Sequence, residues 1–186
     1  MRLFIAVEIP RPMRDELGRL QSSLQALLPD LRWSKPEGIH LTLRFLGETS
    51  QDRVIALCDH LAPGAPFASF LCAPDHLGCF SSRGRPRVLF VALSGTEPLA
   101  RVAAWIDGKA ESAGFVRESR PFSPHLTLGR FGESARRVPA LPELPAGLAG
   151  AAIPVDRFIL FRSTLGPQGA RHEILAEFPL LGGAAA

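Results

Sequence analysis

The chain has 186 residues, 46% of them apolar and 21% charged, with a formal net charge of +3. This length buries a full core, as one compact unit or as two fused lobes, and the composition excludes a generally disordered chain. Three cysteines form no even disulfide framework and no run is long and apolar enough to span a bilayer, so a cytoplasmic protein without a membrane partner is expected.

Residues 2–9 (RLFIAVEI) read as a buried strand closed by Pro10. Pro12 then opens a helix in which Met13, Leu17, Leu20, Leu24 and Leu27 recur at three- and four-residue steps. A strand is expected over 39–46. Ser50 suits the N-cap of a helix reaching Leu61, with Val54, Leu57, Cys58 and Leu61 on one face. Residues 67–79 are strand-like, and Ser81 to Pro86 form a turn-rich loop crowded by Arg83, Arg85 and Arg87. Val88 to Leu93 begin the second half as another strand. Thr96 then caps a helix carrying Leu99, Val102, Ala103, Ile106 and Ala110, which ends at Gly114. A strand at 125–131, a Pro/Ala/Gly-rich loop at about 134–151 and strands at 153–163 and 172–180 complete the chain, with a disordered tail expected at 182–186.

The tetrapeptide His-Leu-Thr-Leu occurs twice, at His40 to Leu43 and at His125 to Leu128. Upstream stand Ser34-Lys35-Pro36 and Ser119-Arg120-Pro121, and downstream Gly47-Glu48 and Gly132-Glu133, all with a period of 85 residues. The order strand, helix, motif strand appears twice. One domain over 1–186 is therefore expected, with an internal repeat of approximately 2–80 and 86–180. The fold class that suits this order is α+β: two pseudo-symmetric lobes, each a mainly antiparallel sheet with helices on its outer face, and a cleft between the sheets. A parallel doubly wound sheet would also alternate strands and helices, but its glycine-rich phosphate loop is missing.

Residues two apart in a strand share a face. His40 and Thr42 point one way and Leu41 and Leu43 the other; His125 and Thr127, opposed to Leu126 and Leu128, repeat the arrangement. A lone strand His beside Thr would more often satisfy itself by hydrogen bonding. A symmetric pair instead delivers two imidazoles and two hydroxyls to one cleft. Arg44, four residues after His40, falls on the same face, and Gly129 suits a β-bulge that would turn Arg130 to the face of His125 and Thr127. Either guanidinium can grip a phosphate through paired hydrogen bonds. Two imidazoles flanking a phosphodiester, one charged and one neutral, supply an acid and a base, while Thr42, Thr127 and an arginine stabilise charge on the non-bridging oxygens.

These paired His-x-Thr-x motifs resemble those of the 2H phosphoesterase superfamily, and within it the bacterial and archaeal RNA 2′,3′-cyclic phosphodiesterases, the 2′-5′ RNA ligase family. RLFIAVEIP, HLTLRFLGE, PRVLFVAL and RPFSPHLTLGR carry the likeness, which spans Arg2 to about Leu180. The resemblance implies a bilobal fold without cofactor or metal and cleavage of an RNA or oligonucleotide 2′,3′-cyclic phosphate end to the 2′-phosphate, with 2′-5′ ligation as the reverse-type reaction. It also implies His40 as proton donor and His125 as proton acceptor; beside them Thr42, Thr127, Arg130 and Arg44 are the expected substrate-binding residues. A monomer is expected. Family members often carry tyrosine near His172; this chain has none, so His172 would replace that ring and base stacking would fall to a phenylalanine such as Phe45, Phe80 or Phe131.

Two rivals stand beside this reading. Cys58-x-His60 and Cys72-x-x-x-His76-x-x-Cys79 contain metal-ligand types, but neither has a standard zinc spacing, and buried thiols account for them better. A non-catalytic nucleotide- or RNA-binding module on the same fold would need hydrogen-bond donors but no matched acid and base.

Overall fold

The apolar run after Met1 is buried on both faces: Leu3 to Val7 are all buried in β1 (Arg2–Glu8). The computed structural model describes residues 1–166 and 169–182. After β1 come α1 (Arg11–Leu24), β2 (Leu31–Trp33), a 3-10 turn at Pro36–Gly38, β3 (His40–Glu48), α2 (Gln51–Leu61), β4 (Ala65–Ala68) and β5 (Phe70–Ser82). The second half holds β6 (Arg85–Ser94), α3 (Glu97–Ser112), β7 (His125–Phe131), β8 (Ile153–Val155), β9 (Arg157–Gly166) and β10 (Gly169–Gly182).

The strands run in the order β4-β10-β9-β1-β3-β7-β6-β5-β8, with β2 added beside β7. Neighbours are antiparallel except β10 and β4. That pattern is the two-lobed α+β arrangement and not a doubly wound parallel sheet. The lobes, β4-β10-β9-β1-β3 and β7-β6-β5-β8, join where the motif strands touch, at the pair Leu41 and Leu126.

Each lobe borrows from the other half of the chain. β9, late in sequence, pairs with β1, and β5, early in sequence, pairs with β6. The helices cross over as well. On α3, Trp105 meets Phe67 and Phe158 at ring distances of 6.5 and 6.2 Å, beneath the first lobe. On α1, the buried Gln21 reaches β7 of the second lobe, where its Nε2 donates to the Leu128 carbonyl at 2.9 Å.

Several local expectations change. The strand-like run 67–79 is two strands, β4 and β5, and the loop expected at 81–86 contracts to a tight turn. Arg83 and Gly84, at φ 53° and 71°, both take the left-handed conformation that suits a two-residue hairpin. Residues 153–163 split between β8 and β9, which serve different lobes. Leu27 lies beyond α1 and is exposed, while Ser50 and Thr96 hold the N-cap positions without a side-chain cap bond. Gly182 ends β10, and residues 183–186 of the expected disordered tail lie outside the described residues. No helix among the described residues is long and apolar enough to cross a membrane.

Candidate active site

Leu41 and Leu126 are fully buried against the helix side, so the residues flanking them face the opposite way, into the groove between the lobes. One step from that pair, the antiparallel register sets His40 across from Thr127, and Thr42 across from His125. Ordinary strand spacing then puts the two histidine Cα atoms on a diagonal of about 8 Å. All four side chains are half-buried, neither sealed nor fully in solvent.

Both imidazoles are held alike. His40 Nδ1 lies 2.8 Å from the Gly38 carbonyl, and His125 Nδ1 lies 2.7 Å from the Ser123 carbonyl, each two residues upstream. A carbonyl carries no proton, so Nδ1–H donates in both cases and Nε2 is left to exchange a proton with a ligand. The ring environments differ. His40 stacks on Phe4 at 4.5 Å and meets His172 edge-on at 5.2 Å, while His125 meets the edges of Phe80 and Phe90 at 4.8 and 5.4 Å. Phe90 lies flat over Gly78, where a Cβ would come within 2.5 Å of the ring.

Burial and charge set the protonation. Burial pushes the His40 pKa down to about 4; the bond to Gly38 opposes this, and the positive charges of His172, His125 and Arg14 add to it. His125 is also lowered, first by burial, against its bond to Ser123, with the Arg130 charge acting in the same direction as burial. Burial lowers His172 as well. The ligand-free site thus holds His40 neutral at pH 7.

Both motif strands bulge at the same point. β3 skips Leu43 in its register with β1, and β7 skips Leu128 in its register with β6. The Leu128 carbonyl accepts the Ser34 N–H, which continues the β2–β7 register, and the Gln21 amide, at 2.9 Å each. Beyond the bulge Arg130 is exposed and pairs across from Val88, on the groove face with Phe90. The first bulge has the contrary effect on Arg44, which is a correction to its expected place. Arg44 turns to the helix side, is 8% exposed, and forms ion pairs with Asp107 at 2.8 Å and Glu118 at 3.6 Å, besides donating to the Val116 carbonyl. Phe45, not Arg44, takes the position equivalent to Arg130, and it is 54% exposed.

Sequence reasoning passed over other groups around the groove. Glu8 pairs across from His40 and receives a hydrogen bond from Arg14 at 3.2 Å. Phe4, Ala6, Ile159 and Phe161 form a small apolar cluster under His40. Gln21 alone had a visible signal, as an amide within the apolar stripe of α1. The cysteines do not converge on the groove: Cys72 is buried, its thiol pushed up to about 11 by desolvation, and Cys58 is raised for the same reason. Among the described residues no group of three or more His, Cys, Asp or Glu could hold a metal ion.

With this geometry in place, comparison with known proteins gives a consistent picture. The model of the LigT-like phosphoesterase family matches twice, over residues 7–90 and 91–172. An RNA 2′,3′-cyclic phosphodiesterase of Thermus thermophilus is 35% identical over 98% of this chain and 91% of its own length. Another, from Geobacillus stearothermophilus, is 31% identical over 96% of this chain, which spans 57% of that relative. Among solved structures, Escherichia coli LigT complexed with 3′-AMP matches with a TM-score of 0.83 at 25% identity, covering 97% of this chain and 98% of that one. The crystal structure of a T. thermophilus protein matches with a TM-score of 0.78 at 31% identity, covering 98% and 99%. The repeated motif, the two lobes it joins and the double family match agree: this chain belongs to the LigT-like phosphoesterase family, the 2H phosphoesterases.

Proposed function

We propose that the chain is a cyclic phosphodiesterase that opens RNA 2′,3′-cyclic phosphate ends to 2′-phosphomonoesters by two-histidine acid–base catalysis without a metal. The observation that carries this reading is the pair of imidazoles beside Leu41 and Leu126, each with Nδ1 tied to a carbonyl and Nε2 free. The names of the T. thermophilus and G. stearothermophilus relatives support the reaction class.

In the proposed reaction water attacks phosphorus in line with the 3′ oxygen. His125 accepts the water proton as the new P–O bond forms, and His40 gives a proton to the 3′ oxygen as the old bond breaks. The hydroxyls of Thr42 and Thr127, with Arg130, stabilise charge on the non-bridging oxygens. His40 must carry a proton to act, and the phosphate anion between the rings supplies the charge that draws one there against desolvation. A 5′-hydroxyl in place of water would give a 2′-5′ linkage through the same displacement.

The test is incubation with an RNA ending in a 2′,3′-cyclic phosphate, in the presence of chelator. The expected product is the 2′-phosphate. A 3′-phosphate would reverse the leaving oxygen, and no turnover would favour a binding module.

A further inference from the structure

β2 is a three-residue edge strand, and its register with β7 places Arg32 directly opposite Arg130. Directly opposed residues of an antiparallel pair share a face with Cβ atoms about 5 Å apart, where two like charges repel. Among the described residues neither guanidinium meets a carboxylate within 4.0 Å, whereas Arg14, Arg44, Arg117 and Arg120 all do. Arg117 is the informative contrast. It stands at Arg32 plus one 85-residue period, and Asp107 and Glu111 lie 3.5 and 3.8 Å from it. The repeat therefore neutralises one copy of this arginine and leaves the other exposed with its charge free.

The uncompensated pair lies on the groove face but away from the imidazoles. Its position is five residues beyond His125 on β7, one of them absorbed by the bulge, which is roughly 13 Å along the strand. A phosphate held between His40 and His125 leaves Arg32 unused. On the proposed activity, which assigns Arg130 to the terminal phosphate, we infer that Arg32 binds the phosphodiester that precedes the terminal nucleotide, so that the protein selects oligonucleotide ends over cyclic mononucleotides. The second phosphate removes the repulsion that the ligand-free strands bear, and the bidentate fork of arginine suits it.

The test compares wild type with Arg32→Gln in binding a short oligoribonucleotide ending in 2′-phosphate and in binding 2′-AMP, with hydrolysis of 2′,3′-cyclic AMP run alongside. The expected result is roughly tenfold weaker oligonucleotide binding, with a log–log salt slope shallower by about 0.7. Affinity for 2′-AMP and hydrolysis of 2′,3′-cyclic AMP should stay within about twofold. Unchanged oligonucleotide affinity, or equal losses on both ligands, would overturn the assignment of Arg32. Absence of hydrolysis by the wild type would instead remove the catalytic reading, and the binding comparison would still decide the second-phosphate site.

Discussion

The Arg44 guanidinium lies 2.8 Å from the Asp107 carboxylate, joining the first motif strand to α3. Asp107 also accepts the Glu118 backbone N–H at 3.2 Å, and Arg44 donates to the Val116 carbonyl. The segment fastened in this way leads into His125. A residue of the first motif thus helps to position the histidine of the second.

Removing the guanidinium leaves the poorly exposed Asp107 carboxylate without its nearest cation. Arg117 still pairs with Asp107 at 3.5 Å, so Arg44→Met should lower the free energy of unfolding by about 2–3 kcal/mol, measured in urea. A loss of about 1 kcal/mol or less, the size of a surface pair, would show that the network contributes little.

His40→Ala and His125→Ala should each reduce kcat on a 2′,3′-cyclic nucleotide by about 10²–10⁴. Affinity for a 2′-phosphorylated product should change far less, because the proposed phosphate ligands Thr42, Thr127 and Arg130 remain. Near-normal turnover by either variant in a single-turnover assay would contradict the acid–base assignment.

The proposed mechanism needs one protonated and one neutral ring, and in the free protein both histidines titrate below the ordinary value of 6.5. kcat/KM should therefore peak on the acid side of that value and fall about tenfold per pH unit well above it. A profile that rises steadily into alkaline pH would rule out these two rings as the titrating pair.

Stability should carry the mark of His40 too. Its folded pKa of about 4 lies below the ordinary 6.5, so on acidification the unfolded chain takes up the proton first. The stability associated with neutral His40 is complete above pH 6.5 and is lost as pH falls through about 4, a change on the order of 3 kcal/mol. Urea titrations across this window should show a shallower decline for His40→Ala; equal slopes would mean that His40 is not the group responsible.

Phe45 stands exposed where Arg130 stands in the other lobe, next to Phe4 at a ring distance of 6.3 Å. Phe45→Ala should leave unfolding nearly unchanged but raise KM for a cyclic nucleotide roughly tenfold through lost base stacking. An unaltered KM would move base contact elsewhere, with Phe80 beside His125 the next residue to test.

The repeat spacing and the two-residue alternation around His40 and His125 were legible because both are local properties of a strand. They separated Leu41 and Leu126 from the two histidines before any pairing was known. The glycine at 129 likewise announced a bulge. Arg44 was misplaced because a second bulge, at Leu43, has no glycine to mark it; it arises from the register with β1. Arg32 was invisible as a partner of Arg130 for a related reason, since β2 is too short for any periodicity to mark and its neighbour lies far along the chain.

By itself, the sequence determined that two equivalent strands exist, which residues each turns toward a common face, and that each brings one imidazole and one hydroxyl. Tertiary structure decided how those strands meet, through Leu41 and Leu126, and which lobe β5 and β9 complete. It also decided that one arginine of the motif is buried while another lies open to the groove. Alternation follows from the backbone of a single strand, whereas register, bulges and strand exchange arise from hydrogen bonds between segments distant in sequence.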